Sequence, residues 1–257
     1  MLVGYFPAVR KGLVAASDQE QNLWSIMASG PPIILASASP RRQYLLSALG
    51  VSFQVIVADI DETPLPKESP AEMARRLSLA KAQKVAQSAP ESIVIAADTL
   101  VAVDSQVLGK PPDADQAFAM LDVLRGRAHS VFSGLAFVRN LSGQAIVQVV
   151  ETGVVMRAYT DQEMWNYINS GDPMDKAGAY AIQHGVFDPV DRITQCYTNV
   201  MGLPMCHVVK TLLEWQVETC LDPLAACPYA VDHGRCPWAA DILGRRTHLQ
   251  GSVRQSV

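Results

Sequence analysis

The chain has 257 residues, of which 49% are hydrophobic and 18% charged, with a formal net charge of −4. That is one large domain or two small ones, with the composition of a soluble globular enzyme. The charge excludes a broad nucleic-acid or anionic-membrane surface, so any anion site must be local, and no apolar run approaches the ~20 residues of a membrane span. The N-terminal MLVGYFPAVRKGLV places its cations after its apolar residues, the reverse of a secretory signal. The five cysteines are therefore expected to be reduced, in a cytoplasmic setting.

Residues 1–30 show no clean periodicity and are expected to form a poorly ordered extension. The stretch Ile33 to Gly50 predicts strand, tight turn and helix. Its apolar run ends at Ala36, Ser39 is a good N-cap, Pro40 takes the first helical position, and Gly50 stops the helix. Arg41 and Arg42 fall in the first turn, where the helix dipole is already positive. Either this is an exposed arginine pair, or the free N–H groups, the serine hydroxyls and two guanidinium groups converge on a polyanion such as a phosphate chain.

Phe53 to Val57 alternates as a strand and runs into DIDETP (59–64), a turn with three carboxylates that include Glu62. Ser69 to Glu72 is a capping box opening a helix to about Ser88, with a stripe of Met73, Leu77, Ala80 and Val85. Lys81 lies four residues on from Leu77, so its stem follows that stripe; it either snorkels or meets an anion in a cleft. Ser92 to Val103 is apolar enough for a buried central strand. Asp98 interrupts it, and a carboxylate there needs a cation, a metal or hydrogen-bond donors. Thr99 should face the other side.

Leu108 to Pro112 is a turn carrying Lys110, and Asp113 caps a helix that ends near Arg125-Gly126. Ala128 to Arg139 and Ala145 to Tyr159 suggest a hairpin, with Arg139, Gln148 and Glu151 on its solvated side. Thr160 to Glu163 is a third capping box, and its helix stops at Gly171. Residues 172–183 predict a Gly/Ala-rich loop, Val186 to Ile193 a strand, and Pro204 the start of a final helix through Leu212, Leu213 and Trp215. Helices alternating with strands plus a long hairpin indicate an α/β domain: a mixed twisted sheet with flanking helices.

The polar features fall where α/β proteins place sites, at strand ends and turns. Four cations with two carboxylates suit a triphosphate held by the cations, with Glu62 and Asp98 binding a divalent metal and orienting a water. Oxygen ligands favour magnesium or manganese over zinc. No GxxxxGK[ST], GxSxG or HExxH is present, so P-loop, α/β-hydrolase and zincin chemistry fall away. Spacing alone gives a phosphate-handling enzyme.

SASPRR (37–42), DETP (61–64), the lysine of LAKA (79–82), AADT (96–99), GKP (109–111) and AGAYAIQ (177–183) together resemble the Maf nucleotide pyrophosphatases, in order from about Ile33 to Trp215. The resemblance implies an elongated, two-lobed α/β fold with a central cleft, spanning 31–217 between the N-terminal extension and a C-terminal one at 218–257. It implies metal-assisted hydrolysis of a nucleoside triphosphate to the monophosphate and pyrophosphate. Asp98 would accept the proton of the attacking water, with Glu62 and Lys81 assisting. Ser37, Arg42, Lys81 and Lys110 would hold phosphates. The branch acting on dTTP and UTP carries Arg, Thr and Gln where Arg41, Thr99 and Gln183 stand. The 7-methyl-GTP branch has Trp, Gln and Glu instead. A side-chain amide both donates to a pyrimidine carbonyl and accepts from its ring N–H.

The alternatives are turnover of 7-methyl-GTP and a non-catalytic nucleotide-binding regulator of cell division. A nucleotide is the expected partner, nucleic acid and membrane are not, and a homodimer is compatible with the sequence. In the tail, Cys220, Cys227, His233 and Cys236 could ligate zinc, but their C-x6-C-x5-H-x2-C spacing fits no finger signature. A loosely ordered tail with incidental cysteines is expected instead. Cys196 and Cys206 are expected as core thiols.

Overall fold

In the computed structural model, residues 30–217 and 221–245 are described. The extension expected at 1–30 lies outside them except for Gly30, and so does Cys220.

The opening elements are β1 (Ile33–Leu35), α1 (Pro40–Ala48), β2 (Gln54–Val55), α2 (Pro70–Ala86) and β3 (Ile93–Val103). β1 pairs in parallel with both β2 and β3. From β1 the chain steps to one side to reach β2, then crosses back over β1 to reach β3. Right-handed crossovers in opposite directions put α1 on one face of the sheet and α2 on the other. That reversal leaves a crevice beyond the C-terminal end of β1, where open α/β sheets bind ligands.

After β3 come β4 (Gln106–Leu108), α3 (Ala114–Leu124), β5 (Ala128–Arg139), β6 (Gln144–Met156), α4 (Asp161–Asn169), β7 (Val190–Ile193), α5 (Tyr197–Val200) and α6 (Met205–Glu214). The sheet is mixed and seven-stranded, in the order β2-β1-β3-β5-β6-β7 with β4 on β3. Local chemistry sets the helix starts. Ser69 with Glu72, and Thr160 with Glu163, form reciprocal capping boxes. The Asp113 carboxylate accepts from the Gln116 backbone N–H. Such caps are each worth roughly 0.5–2 kcal/mol.

The strand period of two divides the core. One face carries Ile34, Val94, Ala96, Ala136 and Val138 against Ala82, Val85 and Ala86 of α2. The other carries Leu35, Ile93, Ile95, Ala97, Leu135 and Phe137 against leucines of α1, α3 and α6. Two close approaches need glycine. At Gly134 on β5 a Cβ would stand 1.9 Å from the Ala74 carbonyl oxygen of α2. At Gly178, which has φ +68°, it would stand 2.9 Å from Val101 Cγ1.

Several expectations need correction. The strand expected over Phe53–Val57 pairs only at Gln54–Val55, and Val55, Ile56 and Val57 are exposed at the sheet edge. The strand expected from Val186 begins at Val190. Gln148 does not face solvent, because its amide donates to Thr211 Oγ1 of α6 at 2.8 Å. Leu213 points outward, 54% exposed, while Leu212 takes the core position. Nor is α6 the last helix. α7 (Pro223–Ala226), α8 (Pro228–His233) and α9 (Ala239–Ile242) follow it. Cys227 and Ala230 enter the main core, and Leu224, Tyr229, Cys236 and Leu243 pack on it. Over 221–245 the tail expected to be loose is a packed cover, because its apolar residues find the flank of α6.

Candidate active site

β1 ends at Leu35, which pairs with Ile95, so β3 runs on past its neighbour. The next residues of β3 border the crevice from mid-strand, and successive side chains address opposite faces. Asp98 points toward α2 and Thr99 toward α1. This is why both reach the site although neither sits at a strand end, as the sequence suggested. The cavity holds about 650 Å³ and is lined by Ser37, Arg41, Arg42, Glu62, Lys81, Asp98, Thr99, Lys110 and Gln183. Every residue singled out in the sequence for the site is there.

On the α2 side, Lys81 Nζ lies 2.5 Å from Asp98 Oδ1 and 2.7 Å from Glu62 Oε1. The Asp98 side chain is 9% exposed and that of Glu62 58%. Lys81 therefore joins a buried carboxylate to a solvent-facing one on the turn after β2. The buried acid has met the cation its burial calls for, and Lys81 faces carboxylates before it faces any phosphate.

On the α1 side, Arg42 donates through Nε to the Gly202 carbonyl at 3.0 Å and through its terminal nitrogens to Ser37 Oγ and Thr99 Oγ1, both at 3.1 Å. Burial pulls its guanidinium below the ordinary value, and Asp98 works against that. Thr99 is thus Arg42's partner and not Arg41's. It also shares a 2.9 Å bond with Ser133, its cross-strand neighbour on β5. Arg41 turns away to Asp175 at 3.2 Å. Ser39 occupies the N-cap but its hydroxyl caps nothing; instead its N–H donates to Ser37 Oγ at 3.3 Å. The first-turn N–H groups of α1 are left for a ligand at the lip of the cavity.

Lys110 and Gln183 are exposed at the rim. Their loops are tied together, because the Gly178 N–H donates to the Gly109 carbonyl at 3.0 Å. Sequence reasoning missed Ser133, Gly134, Asp175, Lys176 and Gly202. Asp175 and Lys176 stood in the stretch already marked as a loop, and a charged pair beside AGAYAIQ was the available signal. Gly134 had none beyond being a glycine inside a strand.

Tyr180 of the same loop bonds His129 of β5, with Nε2 and the hydroxyl 2.8 Å apart. Burial holds His129 down to about 4; His207 is held to about 4 by burial and then by Lys210. A depressed histidine adds stability that is complete above its unfolded pKa of 6.5 and is lost as pH falls through the folded value. Unfolding free energy should fall between pH 6.5 and 4 by roughly 3 kcal/mol per histidine. Urea titrations across that window check this, and His207→Gln should remove about half of the histidine contribution.

Glu62 and Asp98 converge on one ammonium and supply hard oxygen donors, as magnesium or manganese needs when one or two carboxylates share the ion with substrate phosphates. Among the described residues no three His, Cys, Asp or Glu groups could hold an ion by themselves. The donor set fits a metal that arrives with a triphosphate. Of the four tail residues that could ligate zinc, Cys220 lies outside the described residues, and the His233 ring stacks on Tyr229 at 4.1 Å. Cys196 and Cys206 are buried, and burial pushes their thiols up to about 11 and about 12.

Residues 32–215 match the family described as Maf-like protein. The dTTP/UTP pyrophosphatase of Citrifermentans bemidjiense is 44% identical over 180 residues, covering 70% of this chain and 93% of that protein. The dTTP/UTP pyrophosphatase of Syntrophotalea carbinolica is 46% identical over 183 residues, covering 70% and 83%. A HAM1 protein structure from Coxiella burnetii aligns with a TM-score of 0.34 and 17% identity, covering 49% of this chain and 73% of that one.

Proposed function

The chain belongs to the Maf family, and on that footing we propose that it hydrolyses dTTP and UTP to the monophosphate and pyrophosphate. The single observation that carries this is the buried Asp98 carboxylate, paired with Lys81 inside a cavity edged by cations and by an uncapped helix N-terminus. Support for the pyrimidine preference comes from Arg41, Thr99 and Gln183 lining that same cavity and from the names of the relatives.

In this mechanism Arg42, Lys110 and the α1 N-terminus receive the phosphate chain. Lys81 engages Asp98 through Oδ1, which leaves Oδ2 to take a proton from water. The water oxygen bonds to the α-phosphorus and the bond from that phosphorus to the bridging oxygen breaks. Pyrophosphate leaves, held by the cations. Glu62 and Asp98 would hold a divalent cation, which supplies Lewis-acid polarisation of the phosphates when bound. We assign the activity to 31–217, with 1–30 and 218–257 as extensions, and place it in the cytoplasm, where the nucleotides are. Among the described residues no helix is long and apolar enough to cross a membrane.

Purified protein with manganese, given a nucleotide panel, should release pyrophosphate fastest from dTTP and UTP. Release of inorganic phosphate alone would sink the assignment. Faster turnover of 7-methyl-GTP would move the chain to the other branch, and binding without turnover would make it a regulator.

A further inference from the structure

We propose that Asp175 is a further specificity-determining residue, acting as a positioning residue: its carboxylate, shared between Arg41 and Lys176, fixes where the Arg41 guanidinium stands at the base end of the cavity. The proposal rests on the reading of the site given above, in which Arg41 faces the base.

Arg41 and Asp175 are far apart in sequence and meet across the cavity, with Arg41 NH1 3.2 Å from Asp175 Oδ2. The other oxygen is occupied from behind, because Lys176 Nζ donates to Asp175 Oδ1 at 2.7 Å. Lys176 is itself fixed. Its side chain is 8% exposed, and it also donates to the Asp172 carbonyl and, at 3.0 Å, to Asp172 Oδ1. Asp172 in turn accepts from Tyr167 OH at 2.7 Å, and the Tyr167 ring stacks on Phe187 at 4.5 Å. Asp175 is therefore not a freely rotating surface acid. It is a carboxylate anchored through a buried ammonium to the aromatic core, and it presents its second oxygen to Arg41.

The charges close as a set: Arg41 and Lys176 against Asp172 and Asp175. A neutral amide at position 175 leaves one cation without compensation and lets the Arg41 side chain turn toward solvent or toward the phosphates. The Arg41–Asp175 pair is itself half open to water, and such pairs add little to stability. Its consequence is the direction of one guanidinium. Arg41, Asp175, Lys176 and Gln183 all line the one cavity, so that direction is set at the point where a base would be read.

The test compares kcat and KM of the full chain and its Asp175→Asn variant for dTTP, UTP and 7-methyl-GTP. The expected result is a KM for dTTP raised on the order of tenfold, with kcat nearly unchanged and the preference over 7-methyl-GTP narrowed. Asp175→Glu should recover part of the loss. In an Arg41→Ala background the Asp175→Asn effect should vanish, since the residue acts through Arg41. Unchanged KM and preference, an equal shift in both backgrounds, or a loss in kcat alone would each overturn the proposal. Thermal unfolding midpoints and calorimetric dTTP binding keep the test decisive if Asp175→Asn folds poorly, because Asp175→Glu retains the charge. If the wild-type chain releases no pyrophosphate from any nucleotide, the assigned function fails. If it does and the variants show no shift, only this inference fails.

Discussion

Asp98→Asn is expected to lower kcat for dTTP by about 10³-fold, within the 10²–10⁴ range of a positioned general base, while the fold and the nucleotide affinity survive. Asparagine keeps the shape and can still accept from Lys81 through Oδ1, so the 2.5 Å contact has a neutral replacement. It cannot take a proton from water. Lys81 retains Glu62 as counter-ion, and the cavity loses one negative charge that repels a triphosphate. With manganese saturating, so that a weakened metal contact at Asp98 is not what is read, KM should therefore stay level or fall, which separates loss of a base from loss of a phosphate contact. Single-turnover rates measured with dTTP and manganese, beside a thermal unfolding curve, make the comparison. A kcat close to wild type would move the proton acceptor elsewhere, with Glu62 next in line as the other carboxylate on Lys81.

The parts of this site legible in the sequence are those whose cause is local. A carboxylate inside an apolar strand run announces a partner, and a lysine on the inward stripe of a helix announces one too. Asp98 and Lys81 proved to be each other's answer. The caps at Ser69 and Thr160 were equally plain, because a capping box spans four residues. What stayed hidden depends on residues far apart in sequence. That Thr99 serves Arg42 follows from α1 lying on the face opposite α2, a consequence of crossover handedness that no short window contains. The Arg41–Asp175 contact joins the first helix to a loop after the fourth. The tail misled because its apolar residues fall in short runs broken by Pro223, Pro228 and Pro237; they pack because α6 and α5 offer a surface for them.

The largest effect on folding is expected at Gly134. It pairs across β3–β5 with Asp98, so its missing side chain and the Asp98 carboxylate share one face of the sheet, the face that α2 covers. A methyl group there would stand 1.9 Å from the Ala74 carbonyl oxygen and 2.6 Å from Ser78 Oγ. A serine hydroxyl rotates aside; a carbonyl inside a helix does not, so α2 as a whole must lift. Overpacking of a core usually costs about 1–3 kcal/mol, and a clash with helix backbone should reach or exceed the top of that range, a large share of the ~5–15 kcal/mol available to a domain. Gly134→Ala should lower the denaturation midpoint sharply or prevent accumulation of folded protein. Any folded fraction should turn over dTTP slowly, since lifting α2 draws Lys81 away from Asp98 while leaving Arg42 and Thr99, on the other face, in place. Equilibrium urea unfolding together with kcat on the same preparation tests both halves. A variant as stable and as active as wild type would show that α2 does not need this close approach to place Lys81. The spacing between helix and sheet is thus set by an absent side chain directly across from Asp98, the proposed base, which ties this close approach to the proposed chemistry.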